Sequence, residues 1–219
     1  MTKHIERQIE GLKEKILRVG TLVEEAISKA ITALINKDTS LAQRVMASDE
    51  DIDRMEVEVE EECLKILALY QPVAADLRFV VAVLKINNDL ERMGDLARNI
   101  AKRVAQLARA EPVDLPPEIR TMATLTQEMV KQCLDAVVNA DPALARQVRE
   151  EDDAVDEARM QIRQKILRGI KSSPERVESL LRINSVSKHI ERLADMATSI
   201  AEDVIYMVEG EIVRHRVTD

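Results

Sequence analysis

The sequence predicts an all-α protein made of two tandem, pseudo-symmetric three-helix bundles, six helices in all. Three observations lead there. Apolar residues recur at alternating four- and three-residue steps through long segments, which is the period of one helix face. Breakers are scarce: five Gly and six Pro among 219 residues leave little material for turns, while 33% of the chain is charged. The second half also restates the first. LERMGDLARNIAKRV at Leu90–Val104 returns as IERLADMATSIAEDV at Ile190–Val204, with seven of fifteen positions identical.

The first helix carries Ile5, Ile9, Leu12, Ile16, Val19, Val23, Ala26, Ala30 and Ala33 on one face and stops at Asn36–Asp38. Asp38 is placed to cap a second helix running to about Tyr70, where Tyr-Gln-Pro breaks it. The third helix shows the same rhythm in Phe79, Val83, Ile86, Leu90, Met93, Ala97, Ile100 and Val104. A proline-rich stretch follows, AEPVDLPPE, and reads as a linker. Beyond it, NADPALARQVREEDDAVD at 139–156 repeats NKDTSLAQRVMASDEDID at 36–53 with an offset of 103 residues, and the offset falls to 100 in the last helix. Asp141-Pro142 and Ser173-Pro174 each supply an N-cap followed by proline at the first helical position. The expected organisation is an N-terminal bundle over 1–110, a linker at 111–118, a C-terminal bundle over 119–210 and a polar tail at 211–219.

Composition narrows the function classes. With one Phe, two Tyr and no Trp, the core must be aliphatic. A formal charge of −8 disfavours nucleic acid, whose phosphates need a basic face. The first ten residues lack the apolar core of a signal peptide, and the run FVVAVL is too short to span a bilayer. Cys63 and Cys133 have no metal or redox spacing and read as buried hydrophobes in a reducing cytoplasm.

The acids hold their places in both copies. On the third helix Glu91 and Asp95 lie about 120° to 160° from the core stripe, one turn apart on an outer face. Glu191 and Asp195 repeat them. Asp49 and Asp53 share the same spacing on the second helix, and Asp152 and Asp156 on the fifth. When the second and third helices fold back about Pro72, Asp53 comes level with Glu91 and Asp49 with Asp95; the fifth and sixth helices do the same about Ser173 and Pro174. Glu25 and Glu128 are further candidates for these clusters. One such pair is an ordinary solvated face. Four pairs in two symmetric sets place like charges together at a cost in stability, which a bound cation would offset. All-oxygen ligands suit Mg²⁺, Mn²⁺, Ca²⁺ or iron rather than a His/Cys zinc site. His189 falls on the opposite flank from Glu191 and reads as a surface or interface residue.

The run YQPVAADLRFVVAVLKINNDLERMGDLARNIA at 70–101 closely resembles the signature of the PhoU family of phosphate-transport-system regulators, and RINSVSKHIERLADMATSIAEDVIYMVEG at 182–210 resembles its C-terminal counterpart. The resemblance implies a cytoplasmic, non-enzymatic repressor of phosphate-starvation signalling. Such a protein acts between the phosphate ABC transporter, through its ATPase subunit, and the partner sensor histidine kinase, reaching the membrane only through these partners. A homodimer is expected. It also implies metal binding through the E(D)xxxD motif, with iron, manganese, magnesium or zinc as candidates. The motif maps onto Asp49 and Asp53, Glu91 and Asp95, Asp152 and Asp156, and Glu191 and Asp195. The second copy departs at Ala194 and Ser199, where the first has Gly94 and Asn99, which puts equal occupancy of the two sites in doubt.

Two competing readings are weighed against this. A di-iron bundle enzyme would need inward Glu-x-x-His pairs, and no Glu stands three residues before any His. A metal-free adaptor would use the acids as docking patches. A second apolar face on the third helix, Leu77, Val80, Val81 and Leu84, needs a partner in the other bundle, in a second copy or in another protein.

Overall fold

The computed structural model describes residues 2–213, with side chains from residue 4. The polar tail expected from 211 onward lies mostly outside the described residues. Among these all regular structure is helical, with no strand: α1 (Thr2–Asn36), α2 (Thr39–Ala47), α3 (Asp49–Tyr70), α4 (Ala74–Leu107), α5 (Glu118–Asn139), α6 (Pro142–Ser172) and α7 (Val177–Glu209). Two three-helix bundles result, α1 with α2–α3 and α4, then α5 with α6 and α7.

The second helix is not continuous. Ser48, at φ −83° and ψ −3°, ends α2; its N–H donates to the carbonyls of Arg44 and Val45, and its hydroxyl donates to Val45 O at 3.0 Å. Asp49, Glu50 and Asp51 then form the first turn of α3, where negative charge suits the positive end of a helix dipole. The periodicity survives the break because Val45 and Ile52 stay on one buried face. Asp38 caps α2 through Leu41 N at 2.9 Å, and Asp141 caps α6 through Ala143 N and Leu144 N. Ser173 does not act as expected. A short 3-10 turn at Pro174–Arg176 intervenes before α7, and no serine side-chain cap bond forms there. Between α3 and α4, Gln71 takes a left-handed conformation (φ 46°) just before Pro72, whose ring disfavours α geometry in the residue preceding it.

The expected core stripes are buried except at their ends, where Ile5, Ile9 and Phe79 are only partly covered: Leu12, Val19, Val23, Ala30 and Ala33 on α1, and Val83, Ile86, Leu90, Met93, Ala97 and Ile100 on α4, are fully shielded from water. Cys63 and Cys133 are buried free thiols. One hydrophobic cluster runs from Leu12 to Met207 through both bundles. Gly20 lets α1 and α5 approach closely, since a Cβ there would come within 2.9 Å of Leu134. The second apolar face of α4 is largely absorbed by this arrangement, with Val80 buried and Leu84 packed against the core, while Leu77 stays 40% exposed.

Helices α4 and α7 cross antiparallel, and their polar contacts repeat under the 100-residue offset. Lys85 Nζ meets the buried Asp203 at 3.5 Å and sits over the Tyr206 ring, while the equivalent positions give Arg103 Nε donating to Ser185 Oγ at 3.2 Å. The chain between α4 and α5 is held down as well: the Ser179 hydroxyl donates to Glu111 O at 2.7 Å, and Val113 and Leu115 pack on the core.

Candidate functional site: two carboxylate clusters

Each hairpin brings its acids together. In the first, Glu91 on α4 is pushed above the usual carboxylate range by burial, then by the charges of Asp95, Asp53, Glu56 and Asp49. Asp49 is also raised, chiefly by burial, with Arg98 opposing the shift and Asp53 and Asp95 adding to it. In the second hairpin Asp152 is pushed up to about 6, by burial first and then by Asp195, Asp156, Asp153 and Glu191. Asp195 rises through burial, Glu191 and Asp156. Mutual influence of this kind places the four carboxylates of each hairpin within electrostatic reach of one another.

The two sets are neutralised differently. In the first, Arg98 forms an ion pair with Asp49 and another with Asp95 at 2.5 Å, so one guanidinium bridges α3 and α4. The equivalent residue in the second half is Thr198, whose hydroxyl has no hydrogen-bond partner. There the cation comes from α6 instead, where Arg159 Nε lies 3.4 Å from Glu191. The residue equivalent to Arg159 is Glu56, itself raised by burial, Glu60 and Asp53. Each cluster therefore has a fifth acid, Glu56 in the first and Asp153 in the second; Arg98 on α4 opposes the charge of the first, and Arg159 on α6 with Arg192 on α7 that of the second.

Several sequence expectations need correction. Asp49 does not point outward: it is only 5% exposed, held at the start of α3 against Arg98. Glu25 is exposed and pairs with Lys29 at 2.7 Å, and Glu128 is exposed on α5; neither joins a cluster. His189, by contrast, is the interface residue expected of it: half-buried between α4 and α7, 3.4 Å from Ser185 Oγ, its ring pKa lowered by burial and by Arg103. Arg98, Arg159 and Glu56 escaped the sequence reading. Their signal was the breakdown of the repeat itself, basic against neutral at 98 and 198 and acid against base at 56 and 159.

Among the described residues, no group of three or more His, Cys, Asp or Glu is placed to hold a metal ion as it stands. Carboxylates without a cation between them repel, and in the first cluster a guanidinium already fills that role. The two clusters adjoin: Asp95 and Asp195 both line a shallow cavity of about 420 Å³ between α4 and α7, together with Arg92 and Arg192. No described helix is long and apolar enough to cross a membrane.

The PhoU domain model matches residues 16–104 and again residues 119–204, one match per bundle. The chain belongs to the PhoU family. It is similar to the phosphate-specific transport system accessory protein PhoU homolog of Aquifex aeolicus, at 39% identity over 96% of this chain and 95% of that one. The homolog from Pseudomonas aeruginosa is 37% identical over 98% of this chain and 91% of its own. The crystal structure of PhoU from Pseudomonas aeruginosa superposes with a TM-score of 0.91 at 36% identity, covering 94% of this chain and 99% of that chain. The phosphate transport system regulatory protein PhoU from Streptococcus pneumoniae gives 0.88 at 30% identity, covering 95% and 99%.

Within the PhoU motif, the departure at Ala194 has a packing reason. Gly94 lies against Ile52, and a Cβ there would stand 3.0 Å from Ile52 Cδ1. At the equivalent places in the second half the pair is Ala194 with Val155, both fully buried, so a methyl lost from one helix is matched by one gained on the other. The change leaves the carboxylates on either side untouched.

Proposed function

We propose that this chain is a cytoplasmic negative regulator of phosphate-starvation signalling and phosphate uptake. It acts by protein contact between a phosphate ABC transporter, through the ATPase subunit, and the sensor histidine kinase of the phosphate regulon. The observation that carries this reading is PhoU family membership over nearly the whole chain, with relatives named as phosphate-specific transport accessory proteins. A contact regulator shifts its partner's equilibrium only by binding one state better than another, so the chain favours the signalling-off state of the kinase when phosphate is abundant. It works without catalysing a reaction, and as a homodimer for which the exposed Leu69 and Val73 at the α3–α4 turn offer apolar surface. Deleting the gene should switch on phosphate-starvation genes in phosphate-rich medium. A deletion strain that keeps them silent, with transporter and kinase intact, refutes the assignment.

The carboxylate clusters are proposed to hold hard cations, with iron, manganese, magnesium or zinc as candidates. The donor chemistry fits best in the second cluster, where Asp152, Asp156, Glu191 and Asp195 would be the ligands and the position of Arg98 is a threonine. In the first, Asp49, Asp53, Glu91 and Asp95 would take an ion only after Arg98 swings away. The bound ion would supply charge neutralisation that the carboxylates lack. Elemental analysis of protein purified without chelator tests this, with Asp152→Asn/Asp195→Asn expected to lower metal content more than Glu91→Gln/Asp95→Asn. A metal-free adaptor using acidic docking patches is the second reading, favoured by the arginine already lodged in the first cluster. Absence of metal from the wild-type protein, with no binding on calorimetric titration, would establish it.

A further inference from the structure

Of the twelve large apolar side chains left in water among the described residues, six repeat between the two halves. Val57 and Leu64 on α3 are 49% and 54% exposed, and the residues 103 places on, Met160 and Leu167 on α6, are 61% and 52% exposed. Leu77 on α4 and its counterpart Val177 on α7, 100 places on, are 40% and 38% exposed. Chance exposure of single apolar residues is ordinary, but the same three positions exposed in both halves form a pattern. Helical spacing puts Val57 and Leu64 on the flank of α3 that carries Asp53, and Leu77 in line with Glu91 and Asp95 on α4. Helices α3, α4, α7 and α6 lie side by side, each touching the next, with α1 and α5 packed behind them. One face of the molecule therefore runs from an apolar stripe through the first acid cluster, across the Arg92–Arg192 cavity, to the second acid cluster and a second apolar stripe. The antiparallel crossing of α4 and α7 relates the two halves of this face by a pseudo-two-fold axis.

We propose that this face docks a two-fold symmetric protein dimer, one copy of this chain to two partner subunits, each subunit laying one amphipathic helix along one stripe. The helix it fits has an apolar face and Lys or Arg toward the end nearest the axis. Charge complementarity selects this occupant. Each cluster has more carboxylates than guanidinium groups to balance them, five against Arg98 in the first and five against Arg159 and Arg192 in the second, and even one divalent ion would leave each of them negative. Two copies of this chain meeting through these faces would oppose acid to acid, and an anionic lipid surface would be repelled likewise. A basic amphipathic helix meets both requirements at once, seating its apolar face on the stripe and its cations on the carboxylates. The halves are not equal in charge: Arg163 and Lys188 border the second stripe where Glu60 and Asn88 stand in the first, so the first half makes the stronger basic contact.

This inference rests on the reading of the chain as a contact regulator, and the test separates the two. In a deletion strain complemented with the full chain, a photo-cross-linking residue (p-benzoylphenylalanine) is placed at Val57, at Met160, at both, or at the exposed Thr32 on the opposite layer. Val57 and Met160 are expected to capture the same polypeptide. Each single position should give one chain plus one partner subunit by intact mass, the double replacement one chain plus two, and Thr32 neither. Asp53→Arg should lower the Val57 yield several-fold. Capture of different polypeptides at the two positions, capture of a second copy of this chain, or no capture would overturn the proposal. Repression of phosphate-starvation genes, scored in the same strains, reports on the regulatory reading alone.

Discussion

Arg98 on α4 is ion-paired to Asp49 at the start of α3, and the two are 42% and 7% exposed at their side chains. Asp49 is buried because the turn at Ser48 directs the first residue of α3 inward, and Arg98 is the cation that faces it. A buried charge deprived of its partner is costly, and here half of the pair is open to solvent, which moderates the cost. Arg98→Ala should destabilise the protein by about 1–3 kcal/mol in urea titration. Thr198→Ala at the equivalent position should change stability by less than about 0.5 kcal/mol. The Arg98 loss should shrink as pH falls and Asp49 takes up a proton. A loss independent of pH would mean that Arg98 acts through its methylene packing rather than its charge.

Gly94 and Ile52 make a second, sterically coupled pair. Adding a methyl at Gly94 forces Ile52 to shift, and overpacking of this kind costs about 1–3 kcal/mol. Against it stands a gain of about 1 kcal/mol in helix propensity for Gly→Ala. Gly94→Ala should thus be neutral to about 2 kcal/mol destabilising. Combining it with Ile52→Val, which copies the second half, should recover stability relative to the sum of the single changes. A double-mutant cycle with no coupling would refute the packing account.

Leu90 and Glu91, adjacent on α4, should respond in opposite ways. Leu90 is fully buried, so Leu90→Ala should cost about 2–5 kcal/mol. Glu91 is crowded by four carboxylates, and Glu91→Ala in chelator-treated protein should be neutral or stabilising. If thermal melts show Glu91→Ala as the more damaging change, the facing of α4 assigned to the acids is wrong.

The helices and the pairing of the acids were legible in the sequence because both depend on periodicity, which a linear chain displays. Leu90 on the stripe and Glu91 beside it could be told apart by angle alone. The shared core was less legible: Val80 and Leu84 were seen as an unpartnered face, but only the packing of α7 against α4 decides what covers them. The break at Ser48 left no trace in the apolar rhythm, because α2 and α3 keep one buried side across it. Arg98 was missed for a different reason. A basic residue three positions after an aspartate reads as a local surface pair, and its second bond, to Asp49 on another helix, is a tertiary fact. The Ser173 cap failed because Pro174 was compatible with a 3-10 turn as well as with the first turn of an α-helix.

Asp152 gives the acid cluster a signature in solution. Its carboxyl is raised from 3.8 to about 6, mainly by burial and then by Asp195, Asp156, Asp153 and Glu191. A group whose pKa is higher folded than unfolded binds its proton more tightly in the folded state. Its protonation therefore favours folding at low pH, and stability falls as pH rises from about 4 to about 6, levelling off above that. Asp195 and Glu91 are raised in the same direction and should steepen the fall. In chelator-treated protein, unfolding free energy measured across this range should decline with pH, and Asp152→Asn should flatten the decline and raise the melting temperature at pH 7. Adding a divalent cation above pH 6 should restore stability to the wild type more than to Asp152→Asn if the cluster binds it. A wild-type profile that rises between pH 4 and 6, with Asp152→Asn unchanged from it, would mean that the cluster's carboxylates are as well solvated as isolated surface acids.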